Sequence, residues 1–149
     1  MWGEYKNAKA SASATCTEIP GLGDGTTVRI RASGLIPGGV YTIWVLVFNG
    51  PFPSADPNNP FANMVGGGAL GVNDGRANSF QASANGKGEI NTLMPPGITA
   101  AIPYDIAGCL LDEVEFHLVG VYHSDGKTYG PMPGYGNNAE MQFGVQMIP

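Results

Sequence analysis

The chain has 149 residues, of which 43% are hydrophobic and 13% are charged, and its formal net charge is -5. That length corresponds to one domain, and the hydrophobic content exceeds what disordered segments contain. Only seven residues are Lys or Arg, which argues against nucleic acid and anionic membrane surfaces as partners. No segment approaches the roughly 20 apolar residues of a membrane span. We therefore expect a single folded domain over residues 1–149.

Small and polar side chains alternate near the start of the chain, with Ala at the even positions from Ala8 to Ala14. A period of two indicates a β-strand. Residues 1–15 are therefore interpreted either as a strand available for assembly with another molecule or as a flexible leader.

The strongest strand is expected over residues 40–49, V-Y-T-I-W-V-L-V-F-N, because both of its alternating faces are apolar. Its expected partner is the other long apolar segment, residues 113–123. No stretch of a dozen residues has a helical period, so at most a short helical turn is expected near residues 98–101 or 106–111. Shorter strands are predicted at residues 26–33, 69–72, 78–84, 89–94 and 139–148.

Seven or eight short strands separated by Gly- and Pro-rich turns predict an all-β fold. The expected architecture is a single antiparallel β-sandwich of immunoglobulin-like or jelly-roll-like type. The clearest hairpin is predicted to join residues 79–84 to residues 87–93, because Asn85 and Gly86 tolerate a positive φ. The long Pro- and Gly-rich loop at residues 52–68 is interpreted as a functional loop or as a surface excursion.

The two cysteines, Cys16 and Cys109, lie far apart and match no metal or redox spacing. In an oxidising compartment they are expected to form a disulfide, and the alternative is two buried free thiols. Low charge and high Gly content favour an extracellular or cell-surface location. Residues 1–15 contain no apolar stretch of the signal-peptide type, so either a signal peptide has been removed or the chain is cytosolic.

The chain's two histidines, His117 and His123, share one face of the strand predicted at residues 113–123. They are about 20 Å apart in an extended strand and cannot share one metal ion. Neither histidine belongs to an H-x-H or H-E-x-x-H pattern, so no metal and no other cofactor is predicted. Glu113 and Glu115 lie on the same face and are interpreted as candidate paired carboxylates or simply as solvated side chains.

Two types of chemistry remain to be considered. His123 lies beside Ser124 and Asp125, which would suit a hydrolase, but no G-x-S-x-G motif is present and a strand-end histidine is the alternative. Aromatic side chains near the loops are candidate stacking platforms for a carbohydrate. These aromatic residues are Trp2, Tyr104, Tyr129 and Tyr135.

Two segments resemble those of a group of uncharacterised secreted bacterial β-sandwich proteins. The first contains Leu35, Pro37 and Gly38 followed by Y-T-I-W, and it matches the pattern L-x-P-G-x-x-Y-T-x-W. The second begins at Glu115 and matches the pattern E-x-H-L-V, in a strand that ends in a His-containing turn. The resemblance implies a secreted sandwich and brings no particular activity.

Three functional hypotheses follow. The first is a non-enzymatic extracellular structural module, such as a subunit of a filament or surface layer, that self-associates by strand pairing through residues 1–15. The second is a β-sandwich that binds a carbohydrate or another ligand. The third is a hydrolase that uses His123.

Overall fold

The structure is a computed structural model, and it describes residues 8–134 and 136–149. Within these residues the chain forms ten β-strands and two single 3₁₀ turns, at Leu110–Asp112 and Gly136–Asn138. The paired strands are antiparallel, so the predicted antiparallel all-β class is confirmed. No helix in the described part of the chain is long and apolar enough to cross a membrane.

The ten strands form three sheets, with the orders β1-β2-β6, β10-β9-β3-β4 and β7-β8, and β5 also pairs with β3. This count differs from the expected seven or eight, because β7 and β8 have two residues each and are too short to show a period. The strands are β1 Lys9–Ile19, β2 Gly23–Ser33, β3 Val40–Phe48, β4 Met64–Ala69, β5 Ser79–Gln81, β6 Gly88–Met94, β7 Gly97–Ile98, β8 Asp105–Ile106, β9 Glu115–His123 and β10 Ala139–Met147.

The strand β3 lies inside the five-stranded sheet, between β9 and β4. It is antiparallel to β9 from Val40, which is opposite His123, to Phe48, which is opposite Glu115. The predicted pairing of the two longest apolar segments is thereby confirmed. One face of β3 packs in a hydrophobic core that also contains residues of β2 and β6, and we call the opposite side of each sheet its outer face. The core residues from these three strands include Val28, Ile30, Ile43, Val45, Val47 and Ile90.

The strands β5 and β6 do not form the predicted hairpin. A turn is present, in which the Ser83 N–H donates to the Lys87 carbonyl at 2.8 Å. However, β5 pairs with β3 while β6 pairs with β2, so the chain passes from one sheet to the other at this turn. Ala82 and Ile90, on either side of the turn, are both buried in the core. The two segments belong to different sheets, and both sheets contribute side chains to this core.

The strand predicted at residues 69–72 is instead β4, Met64–Ala69, and it contains three consecutive glycines. Glycine is depleted in strands, so the pattern concealed this one. A Cβ at Gly66 would lie 2.1 Å from the Cβ of Tyr104. The bare backbone therefore allows the segment after β7 to lie against β4, where Gly67 and Ile102 exchange backbone hydrogen bonds of 3.0 and 2.8 Å. The preceding loop is correspondingly shorter than predicted and spans residues 49–63.

Residues 9–19 form β1, which pairs with β2 over eleven residues of the same chain. A flexible leader is therefore wrong for residues 9–15, while residues 1–7 lie outside the described residues. Cys16 of β1 is joined to Cys109, with the two Sγ atoms 2.08 Å apart, so the predicted disulfide is present. The disulfide connects β1 to the 3₁₀ turn that precedes β9.

Candidate ligand-binding cleft

An apolar cleft of about 310 Å³ lies on the outer face of the five-stranded sheet. Its floor is formed by three neighbouring strands, β9, β3 and β4, and its walls are two loops, the segment at residues 101–102 and the segment at residues 132–133. The volume is at the lower end of the range for small-molecule sites. The lining residues are Trp44, Leu46, Gly67, Gly68, Ala101, Ile102, Val119, Val121, Met132 and Pro133.

The floor exists because the middle parts of β3 and β9 are apolar on both faces. The inner side chains of both strands pack in the core, and the outer side chains form a second apolar cluster around Trp44, Val119 and Val121. Trp44 lies directly opposite Val119 in the antiparallel register. On the neighbouring strand, the absence of a side chain at Gly67 and Gly68 leaves room beside Leu46. A Cβ at Gly67 would lie only 3.0 Å from Cδ2 of Leu46.

A buried hydrogen-bond chain adjoins one end of the cleft. The indole Nε1 of Trp44 donates to Oγ1 of Thr42 at 2.7 Å, and the same Oγ1 lies 2.7 Å from Nε2 of His123. The chain therefore fixes the orientation of the Trp44 ring that lines the cleft. Burial lowers the pKa of His123, although the charge of Asp125 acts in the opposite direction, so the neutral imidazole is favoured. Its Nδ1 atom has no hydrogen-bond partner among the described residues.

A buried carboxylate lies at the other end of the outer face. Glu115 is 2% exposed, and its Oε2 lies 2.5 Å from Nε2 of His117 and 3.0 Å from Nε2 of Gln146. Its Oε1 accepts a hydrogen bond from the Phe52 N–H at 3.3 Å. Burial raises the pKa of Glu115, but these hydrogen bonds outweigh that effect and leave the pKa below its usual value. The interpretation of Glu115 as a solvated side chain is therefore wrong.

The loop of residues 49–63 is held against the sheet by Glu115, His117 and Gln146. The His117 ring packs against Phe48 and Phe52, at centroid distances of 4.4 and 5.0 Å. Gln146 also donates to the Phe52 carbonyl at 3.2 Å. The ring of Phe61, further along the loop, is tilted by 48° to the ring of Phe52, with the ring centroids 4.8 Å apart. These contacts give His117 and Glu115 a structural role in anchoring the loop.

Two of the four aromatic residues predicted as stacking platforms, Tyr104 and Tyr129, lie in the described part of the chain. The Tyr104 hydroxyl donates to Oε2 of Glu113 at 3.0 Å, and burial together with that hydrogen bond raises the pKa of Tyr104. The Tyr129 hydroxyl bonds to Asp125, and the Tyr129 ring lies 5.9 Å from the ring of His123. Neither tyrosine lines the cleft. Trp2 and Tyr135 lie outside the described residues.

The sequence does not predict the cleft, although the apolar outer positions of β3 and β9 are a signal of a covered outer face. Those positions indicated that something covers the outer face, but not that the cover leaves a cleft. The two wall segments come from parts of the chain about thirty residues apart, and no periodic pattern relates them.

The side chains suggested for metal binding or hydrolysis contact other partners in the described part of the chain. No group of three or more His, Cys, Asp or Glu side chains in that part could hold a metal ion. The Ser124 hydroxyl donates to the Asn137 carbonyl at 3.2 Å, while His123 is bonded to Thr42. The neighbours in sequence that suggested a hydrolase are thus engaged with different partners.

Comparisons with known proteins give little further information. No protein-family model matches the chain, and no curated protein matches it. Among solved structures, macromomycin matches with 19% sequence identity and a TM-score of 0.36, over 89% of this chain and 97% of that chain. A similarity of this size identifies neither a family nor a function for this chain.

Proposed function

We propose that this chain is a non-enzymatic binding module that holds a small, largely apolar molecule in the cleft of the five-stranded sheet. The observation that supports this function is the lining of the cleft, in which every residue is apolar or Gly. When a ligand displaces water from a concave apolar surface on the outside of a domain, the free energy of the system falls. Ile102, on one wall, is 41% exposed and remains accessible to such a ligand.

The chemistry of the cleft narrows the class of ligand. Carbohydrate hydroxyls need hydrogen-bond partners when they leave water, and burying them without partners is costly. The lining side chains offer none, because the one polar group among them, the Trp44 N–H, already donates to Thr42. The cleft therefore suits a planar or aliphatic apolar molecule better than a sugar. The Trp44 ring supplies a flat surface for packing.

A neutral, polarity-sensitive dye such as Nile red tests this function. We expect saturable binding with a rise in fluorescence, and we expect Ala101→Trp to weaken it about tenfold or more by filling the cleft. Ala107→Trp, an exposed position a few residues away and outside the cleft, is the matched control and should bind as the wild type does. Equal binding by both variants, or no saturable binding by the wild type, would contradict the proposal.

The structural-module hypothesis remains a second candidate, favoured by a specific property of β1. This strand ends the three-stranded sheet and keeps an unbroken register of eleven residues without Pro or a bulge. By contrast β10, which ends the larger sheet, has an irregularity between Met141 and Phe143. Regular edge strands pair readily with other chains.

The common core also supports a single immunoglobulin-like sandwich of the two larger sheets. The disulfide supports an extracellular location.

Light scattering coupled to size-exclusion chromatography tests the second candidate. If β1 pairs between molecules, the molar mass should rise with concentration, and the double variant Ser11→Lys/Ser13→Lys should return it to that of a monomer. Thr128→Lys, at an exposed loop position, should leave assembly unchanged. A wild-type protein that stays monomeric at every concentration would exclude this mode of assembly.

A further inference from the structure

The cations of this acidic chain collect on one surface, the outer face of the sheet β1-β2-β6. Arg29 and Arg31 alternate along β2, Lys9 lies on β1, and Lys87 immediately precedes β6. In the register of the sheet, Arg31 is opposite Ser11 on one side and Glu89 on the other. We call this surface the basic face. It contains four of the six Lys and Arg residues in the described part of the chain.

A single carboxylate, Glu89, lies among these cations. Its Oε1 is 2.7 Å from Nη2 of Arg29, and its Oε2 is 3.6 Å from Nε of Arg31. The side chains of Arg29, Arg31 and Glu89 are 46%, 63% and 48% exposed, so these ion pairs are screened by water and leave both guanidinium groups accessible. The other acids of the three strands are Glu18 and Asp24. They are opposite each other in the register of β1 and β2, near the turn that joins these strands.

The shape of the basic face is open and extended. Three shallow depressions of about 350, 240 and 400 Å³ adjoin one another, and Arg31 lines all three. Between the cations the floor is formed by small side chains of β1 and β2, including Ser11, Ser13 and Ser33. Among residues 8–134 and 136–149, no aromatic side chain lines any of the three. Such a surface offers charged groups and hydroxyls over several strands, but it offers no enclosed pocket for a small anion.

We propose that the basic face binds a linear anionic polysaccharide. Its carboxylate or sulfate groups pair with Arg29, Arg31, Lys9 and Lys87, and its hydroxyls exchange hydrogen bonds with the serines between them. Single-stranded nucleic acids rely on aromatic side chains for base stacking, and the described residues that line the depressions include none. The disulfide fits an extracellular compartment, where a polysaccharide is the more accessible polyanion. This site is separate from the apolar cleft, which lies on the other large sheet.

Surface plasmon resonance with immobilised dextran sulfate and polygalacturonate tests the proposal, with neutral dextran as the reference. We expect the double variant Arg31→Glu/Lys87→Glu to weaken binding to at least one of the anionic polymers about tenfold or more. The matched control is Arg76→Glu/Lys127→Glu, which changes the net charge equally but lies outside the basic face. Its affinity for the anionic polymers should lie within about twofold of that of the wild type, because salt screens charges that are distant from the basic face.

A gain-of-binding variant separates loss of the site from loss of the fold. Glu89→Gln removes the one carboxylate among the cations and should strengthen binding, which a misfolded protein cannot do. Several outcomes would overturn the proposal: no binding to either anionic polymer, an equal loss in the matched control, or no gain in Glu89→Gln. Tighter binding to an oligothymidylate or to anionic phospholipid vesicles than to the polysaccharides would also overturn it, by identifying another class of partner.

Discussion

At the scale of single residues, Glu115 is a buried ionisable group that several hydrogen bonds hold in place. It is buried at the start of β9, and its carboxylate forms hydrogen bonds with two side chains and with a backbone N–H. Hydrogen bonds to an ionised group favour the charged form, so the folded protein holds a carboxylate that burial alone would neutralise. The pair Glu115–His117 was visible in the sequence as neighbouring positions on one strand face. Its burial was not, because the loop that covers it is distant along the chain.

The lowered pKa of Glu115 predicts how stability depends on pH. The unfolded carboxyl titrates at about 4.3 and the folded one below that, so the stabilisation is present above about pH 4.3 and is lost as the pH falls through the folded pKa. Glu115→Gln should therefore reduce the free energy of unfolding at pH 7 by about 1–3 kcal/mol and flatten its fall in acid.

Urea denaturation at pH 7 and in steps below pH 5 measures both effects. Glu18→Gln, an exposed carboxylate on β1, is the control and should behave like the wild type. A Glu115→Gln protein with the same acid slope as the wild type would show that the carboxylate is not the group responsible.

At the scale of the elements, glycines decide where strands and loops make close contact. The three glycines of β4 admit the segment after β7, and Gly120 of β9 admits the ring of Phe143 from β10. A Cβ at Gly120 would lie 2.1 Å from Cζ of Phe143. Strand propensity treats glycine as unfavourable, so it underestimates strands whose function is to accept a neighbour at short distance.

Replacing Gly120 by Ala should therefore displace Phe143 from the core. We expect a loss of about 1–3 kcal/mol in the free energy of unfolding, the usual cost of overpacking. The matched control is Gly144→Ala on β10, where the nearest atom to the new Cβ is 3.9 Å away. Chemical denaturation of the two variants measures the difference, and equal effects would show that contact with Phe143 is not the cause.

At the scale of the whole molecule, the disulfide connects the first strand to the region before β9. It joins residues 93 positions apart, and closing a loop of that length restricts the unfolded chain strongly. The sequence was sufficient to predict the pair, because it contains two cysteines and no competing metal pattern. It could not decide between a disulfide and free thiols, since that depends on how close β1 comes to the 3₁₀ turn that precedes β9.

Removing the disulfide should lower the free energy of unfolding by about 4.7 kcal/mol in the chain-entropy model. The double variant Cys16→Ala/Cys109→Ala and the reduced wild type should show similar losses in denaturant titrations. Adding reductant to the double variant is the control and should change nothing. If the double variant were as stable as the oxidised wild type, the chain-entropy contribution would be negligible here.

The sequence by itself determined the all-β class, most of the long strands, the pairing of β3 with β9 and the candidate cysteine pair. An alternation with a period of two shows which side chains share a face within one strand. An apolar pattern on both faces requires an interior position in a sheet. Only the tertiary structure decided that β5 and β6 belong to different sheets, that two loops enclose an apolar cleft, and that four cations from three segments form one basic face. These features depend on which distant segments of the chain come together, and the alternation within one strand does not specify the loops or short strands that lie beside it.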